Sequence, residues 1–166
     1  MDFNRFYFTE GELPELLVLI GIPGSGKSTW IAQNNISNKY RVVSPDKIRK
    51  ELTGDINDQT KNAEVWKVAK QRVVNTLKNG KSAILDATMT NPEYRQDFIK
   101  GLPTSNIKAK IFQADPEDVK ERIKKDIEAG KDRANVPDEI VDQMYNELVK
   151  YGTREQLEKE GFEVIK

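Results

Sequence analysis

The stretch LLVLIGIPGSGKSTW, residues 16–30, decides how the rest of the chain is read. It opens with five apolar residues, the pattern of a strand buried on both faces. GIPGSGKS follows at residues 21–28 and satisfies G-x-x-x-x-G-K-[ST] at every fixed position, between that strand and a helical run. Gly24 and Gly26 permit unusual backbone angles and close approach of phosphate oxygens, while backbone N–H groups converge on the anion at a helix start. Lys27 is placed to reach the β and γ phosphates of ATP, and the Ser28 hydroxyl to ligate Mg²⁺. The nucleotide-binding set is Gly21, Pro23, Gly24, Ser25, Gly26, Lys27, Ser28 and Thr29, the last continuing the helix. A plain strand-to-helix turn would not demand all the fixed positions at once.

Outward from this point, short β-rich runs alternate with longer helical patterns. The further strand candidates are YRVVS (40–44), SAILD (82–86), IKAKIFQA (107–114) and FEVI (162–165). Between them Val65, Trp66, Ala69, Val73 and Leu77 make one helical stripe, Val119, Ile123 and Ile127 a second, and Ile140, Val141, Met144 and Leu148 a third. Asn91-Pro92 and Asp115-Pro116 each join a capping side chain to a first-turn proline, which predicts helix starts. The pattern predicts an α/β fold, a parallel five-stranded sheet with helices on both faces. The stripes are read as core.

Composition narrows the chemistry. The chain has 166 residues, enough for one domain, with 27 Lys plus Arg against 27 Asp plus Glu. That balance provides no global basic field for long nucleic acid, though a local basic pocket for a strand end fits it. Cysteine and histidine are both absent, which excludes thiol chemistry and the commonest general base. A base must then be a carboxylate, lysine, tyrosine or water. The first fifteen residues carry acids and no long apolar run, so no signal peptide is expected. LLVLIGI is far shorter than the ~20 residues of a membrane helix. A cytoplasmic location without membrane contact is expected. Residues 1–13 read as an N-terminal extension whose Phe3, Phe6, Tyr7 and Phe8 are expected to pack as an edge strand or over a groove, ahead of serving as a stacking platform for bases.

SPDKIR, residues 44–49, has two readings. In one, Ser44 caps a helix, Pro45 takes its first position and Asp46 suits the positive helix end. In the other, Asp46 accepts the proton of an alcohol attacking the γ phosphate, and Arg49, one helical turn on, grips a phosphate of the acceptor. Position adds weight to the second, and spacing alone leaves both open. The segment follows the second strand candidate, and open α/β sheets bind ligands beyond the carboxyl ends of their strands.

The chain resembles the P-loop kinase domain of phage-type 5′-hydroxyl polynucleotide kinases. The resemblance runs over residues 16–150, through LLVLIGIPGSGKSTW, VSPDKIR, ILDATMTNPEYR and NVPDEIVDQMY. It implies a P-loop kinase fold with a helical lid, here about residues 116–137. It also implies Asp46 as general base and Arg49 as a contact to the acceptor phosphate. Thr88 and Arg95 are implied on the acceptor or phosphate side. Asp86 stands where a Walker-B-like acid follows the third strand, positioned to hold Mg²⁺ through water or to orient Ser28. In the lid, Arg122 of VKER matches the first arginine of the family. Residue 126 is Asp where the second would stand, so Arg133 is the substitute, and both arginines are expected on ATP or on the transferred phosphoryl group. Lys120, Lys124 and Lys125 read as a solvated face. The family's second acid beside the base is Lys47 here. No phosphatase domain is expected after the kinase core, and so no bifunctional end healing.

The expected function is therefore an ATP- and Mg²⁺-dependent transfer of the γ phosphate to the 5′-hydroxyl of a DNA or RNA end. Lys27, Asp46, Arg122 and Arg133 form the catalytic set. Two other readings keep the nucleotide site: a kinase of small-molecule hydroxyls, and a regulatory ATPase acting through a partner.

Overall fold

The computed structural model describes residues 13–166; the aromatic N-terminal segment considered above lies outside the described residues, apart from Leu13. Strands β1 (Leu16–Ile20), β2 (Tyr40–Val43), β3 (Ser82–Leu85), β4 (Ile107–Ile111) and β5 (Glu163–Ile165) form one parallel sheet in the order β2-β3-β1-β4-β5. Helices α1 (Lys27–Gln33), α2 (Pro45–Thr53), α3 (Asn62–Lys78), α4 (Pro92–Ile99), α5 (Pro116–Glu128), α6 (Asp138–Tyr151) and α7 (Arg154–Lys159) connect or follow them.

β1 is uniformly apolar because it is the central strand. Leu16 aligns with Ala83 on one side and Ile107 on the other. Leu16, Val18 and Ile20 join a large core with Val65, Ala69 and Val73 of α3, Phe98 of α4, Val119 of α5, Leu148 of α6 and Leu157 of α7. Leu17 and Leu19 point the other way, into a smaller core with Ile31 of α1, Tyr40 and Ile84. Helices thus cover both faces, unequally. All five β1 side chains are buried, each worth about 1.5–3 kcal/mol, so the strand that carries the glycine-rich loop is the most firmly seated element.

The strand order locates the site. The chain leaves β1 toward β2 at one edge, and leaves β3 toward β4 across β1. The direction reverses between the neighbouring ends of β1 and β3, the crevice in which open α/β sheets hold ligands. There the Gly21 N–H donates to the Thr88 carbonyl at 3.0 Å and ties the two ends together.

Three helices start as the sequence predicts. Ser44 Oγ accepts from the Lys47 N–H (3.4 Å), Asn91 Oδ1 from Glu93 (2.9 Å) and Asp115 Oδ1 from Glu117 (2.8 Å), each with a proline next in the chain. Strand ends are shorter than the apolar runs. Ser44 and Asp86 leave the sheet, and Phe112 follows β4 with its N–H on the Ile20 carbonyl at 2.8 Å. Ile127 and Ile140, at 36% and 38% exposure, mark the edges of their stripes rather than their centres. α7 has six residues and one buried apolar side chain, Leu157, too little for a periodic signal. Among the described residues no helix is long and apolar enough to cross a membrane.

Candidate active site

The glycine-rich loop turns out of β1 with Gly24 at φ 75° and Gly26 at φ 101°, left-handed angles that favour glycine at both positions. Gly26 lies at the mouth of α1, so the free N–H groups of that helix open onto the loop. Lys27 is 8% exposed and folds back over the loop, donating to the carbonyls of Gly21 (3.0 Å) and Ile22 (2.9 Å). Burial pushes its pKa down to about 8, and Arg133 adds to the fall, while Asp86 and Asp46 oppose it. Of these two acids, Asp86 comes from the end of β3 and Asp46 from the start of α2.

Ser28 Oγ donates to Asp86 Oδ2 at 2.9 Å. Two oxygen groups brought together beside a phosphate cradle fit Mg²⁺, which prefers oxygen ligands and is commonly completed by water and substrate phosphate. Ser28 would hold the ion and Asp86 would support it. The loop itself fits a nucleotide triphosphate: backbone donors at a helix start, a buried ammonium group and two glycines where side chains would crowd the anion.

Ser44 supplies the cap of α2, and Asp46 stands in its first turn. Its side chain is 57% exposed and accepts from Arg49 Nη1 at 2.6 Å. Arg49 is 6% exposed, with Nε and Nη2 both donating to Asn62 Oδ1 at 3.2 and 3.0 Å. The helical spacing read from the sequence therefore puts the two charged groups in contact.

Both lid arginines reach Gly24. Arg122 donates to its carbonyl, and Arg133 Nη2 lies 2.5 Å from where a Cβ at Gly24 would stand. Arg133 is held by Asp126, whose carboxyl sits below its usual range through hydrogen bonds from Lys131 and Arg133. The loop after α5 also docks on α2 and on the segment that follows it. Lys50 of α2 pairs with Asp132, and the Asn135 N–H donates to Asn57 Oδ1 at 2.7 Å.

Arg95 requires a correction. Expected on the substrate side, it is fully buried, and its five N–H donors are all engaged within the chain. Nε and Nη2 bind Glu160 (2.8 and 2.6 Å), Nη1 binds the carbonyls of Met89 and Thr90 (2.9 and 3.1 Å), and Nη2 also binds the Tyr151 carbonyl (2.9 Å). No donor is left for an acceptor. Arg95 instead braces the turn after β3, where Met89 adopts φ 47°, a left-handed angle that costs a non-glycine residue about 1–2 kcal/mol. Thr88 lies in that turn, half-buried, tied to the loop by its carbonyl rather than by its side chain.

Several partners escaped sequence reasoning. Asn62, Asp126 and Glu160 hold Arg49, Arg133 and Arg95, from 13, 7 and 65 residues away. Asp126 carried a signal, as an acid where the resemblance calls for an arginine. Glu160 carried none.

Comparison with known proteins bears on the family and the fold. The profile of a family described as an AAA domain matches residues 16–150. A chain of the Pnkp1/Rnl/Hen1 RNA repair complex is similar over 93% of this chain and 48% of its own length, at 27% identity and a TM-score of 0.72. A second structure of the Pnkp1/Rnl/Hen1 complex matches over 70% of this chain and 40% of that one, at 30% identity and a TM-score of 0.58. This chain thus spans about half or less of those relatives. A gluconokinase from Sinorhizobium meliloti shares the fold at 16% identity and a TM-score of 0.52, covering 82% of this chain and 75% of that one. With the family profile spanning most of its length and a parallel sheet that matches kinase structures, the chain belongs to this AAA-domain family and has a P-loop kinase-like fold.

Proposed function

We propose that this domain is an ATP- and Mg²⁺-dependent phosphotransferase that phosphorylates the 5′-hydroxyl of a nucleic-acid end, as the polynucleotide kinases of phage type do. The observation that carries the reading is geometric: the Asp46–Arg49 pair, 2.6 Å apart at the start of α2, stands beyond the carboxyl end of β2, next to the strand whose end brings Asp86 to Ser28 of the phosphate cradle. A hydroxyl seated between them has a base on one side and the terminal phosphorus of ATP on the other. Arg49 binds the phosphate next to the attacked hydroxyl. Such a phosphate belongs to a nucleotide chain and is absent from a simple sugar or nucleoside.

The remaining roles follow from placement. Lys27 and the loop N–H groups hold the phosphates; Ser28, supported by Asp86, would hold Mg²⁺, which when bound would supply positive charge beside the phosphate oxygens. Asp46 takes the proton from the attacking hydroxyl. Arg122 and Arg133, both at Gly24, offset the charge that builds on the transferred group. The similarity to a chain of an RNA repair complex supports a nucleic-acid acceptor. The balanced charge of the chain suits contact with a few terminal nucleotides.

Labelled ATP offered with a 5′-hydroxyl oligonucleotide, and separately with a panel of sugars and nucleosides, tests the reading. Transfer to the oligonucleotide that disappears with Asp46→Asn is expected. Transfer only to a small molecule rejects the polynucleotide assignment, and slow ATP hydrolysis without any transfer points to a regulatory ATPase.

A further inference from the structure

We propose that Asn62 is a positioning residue for the acceptor: its side-chain oxygen aligns the Arg49 guanidinium so that Arg49 keeps free donors for a phosphate beside the attacked hydroxyl. The inference rests on the acceptor reading of Asp46 and Arg49 and names what holds that pair in register.

The hydrogen-bond inventory carries it. A guanidinium has five N–H donors. In Arg49, Nε and one N–H of Nη2 go to Asn62 Oδ1, and one N–H of Nη1 goes to Asp46 Oδ1. Among the described residues, one N–H on each terminal nitrogen has no acceptor, and two such donors can meet a phosphate. The amide orientation follows from chemistry. Arg49 has donors only, so Oδ1 must face it, and Asn62 Nδ2 donates to Gln59 Oε1 at 2.6 Å. Asn62 is the first residue of α3, which packs beside α2, so the anchor is set on a rigid element.

Its neutrality matters as much as its geometry. Asp46 already places one negative charge on Arg49. A carboxylate at residue 62 would hold the same edge while adding a second, and would repel an incoming phosphate. An amide oxygen accepts both hydrogen bonds without that cost. Arginine side chains are rich in rotamers, and this one is nearly buried, so removing its anchor releases freedom that acceptor binding must then take back.

The test uses Asn62→Ala and Asn62→Asp in the full chain. Without substrate, exchange of the Arg49 Nε–H with solvent is followed by NMR; it is expected to be slow in the wild type and about tenfold or more faster in Asn62→Ala. With ATP and a nucleoside 3′-phosphate bearing a free 5′-hydroxyl, the acceptor KM is expected to rise about tenfold in Asn62→Ala, the low end for one charge-assisted hydrogen bond. Asn62→Asp is expected to keep slow Nε–H exchange yet raise the acceptor KM at least as much. The KM for ATP should stay within about twofold in both. Unchanged exchange in Asn62→Ala, or KM values for ATP and acceptor that rise together, overturns the proposal. If the wild type phosphorylates no 5′-hydroxyl nucleotide, the polynucleotide reading fails, while the exchange measurement still decides what Asn62 does for Arg49.

Discussion

The two sides of the cleft are built by different physics. The ATP side is backbone: a glycine-rich loop between a fully buried strand and a helix start, with one buried lysine folded across it. The other side, proposed to take the acceptor, is side chain: Asp46 on Arg49, Arg49 on Asn62, Arg133 on Asp126, Lys50 on Asp132. A backbone site is specified by local angles and seven or eight consecutive residues. A side-chain site is specified by partners brought together from several elements, and it is correspondingly easier to retune. Substitutions on the two sides are therefore expected to have separable effects.

That independence can be broken or sharpened experimentally. The largest effect is expected from Asp46→Asn, which removes the proposed general base and leaves the cradle intact. Transfer should fall by about 10²–10⁴-fold with ATP affinity retained; a parallel loss of ATP binding would merge the two sides. Next comes Arg95→Met, which strands Glu160, a carboxylate with 7% side-chain exposure. Chemical denaturation should show a loss of about 3–5 kcal/mol, with acceptor KM unchanged in the folded enzyme. A raised acceptor KM at unchanged stability would return Arg95 to the substrate side.

Gly24→Ala probes the meeting point of loop and lid. Its Cβ would face Arg133 Nη2 in a left-handed backbone, so ATP affinity should fall about tenfold through strain of about 1–2 kcal/mol. Titration with a fluorescent nucleotide reads this, and unchanged affinity would separate Arg133 from the loop. Lys27 gives a pH signature. Its folded pKa of about 8 lies below the ordinary 10.5, so between these values the unfolded chain binds more protons than the folded one. Without nucleotide, stability should therefore gain from this group as pH rises from about 8 toward 10.5, while ATP affinity weakens over the same window as the ammonium charge is lost. Nucleotide affinity flat to pH 10 would argue against a charge contact from Lys27. The smallest effect belongs to Asn91→Ala, a lost cap at the start of α4, worth about 1 kcal/mol in denaturation and nothing in KM.

Legibility divides along the same line. β1, the glycine-rich loop and the three proline-led helix starts could be read directly, because each depends on neighbours within a few residues. The Asp46–Arg49 contact could be read too, since a single helical turn makes it. Arg95 could not. Its place in an N-P-x-x-R run is the same whether it faces an acceptor or Glu160, and only the docking of α7 against α4 separates the two. Asn62 and Asp126 share that limit, being ordinary polar residues until a distant cation meets them.

By itself, then, the chain of residues determined a parallel α/β sheet and a phosphate cradle, because backbone angle, strand burial and helix capping are short-range properties. Tertiary packing alone decided which arginines face the cleft and which brace the scaffold. A guanidinium accepts either environment in sequence terms, and its role is settled by which acceptors fold up around its five donors.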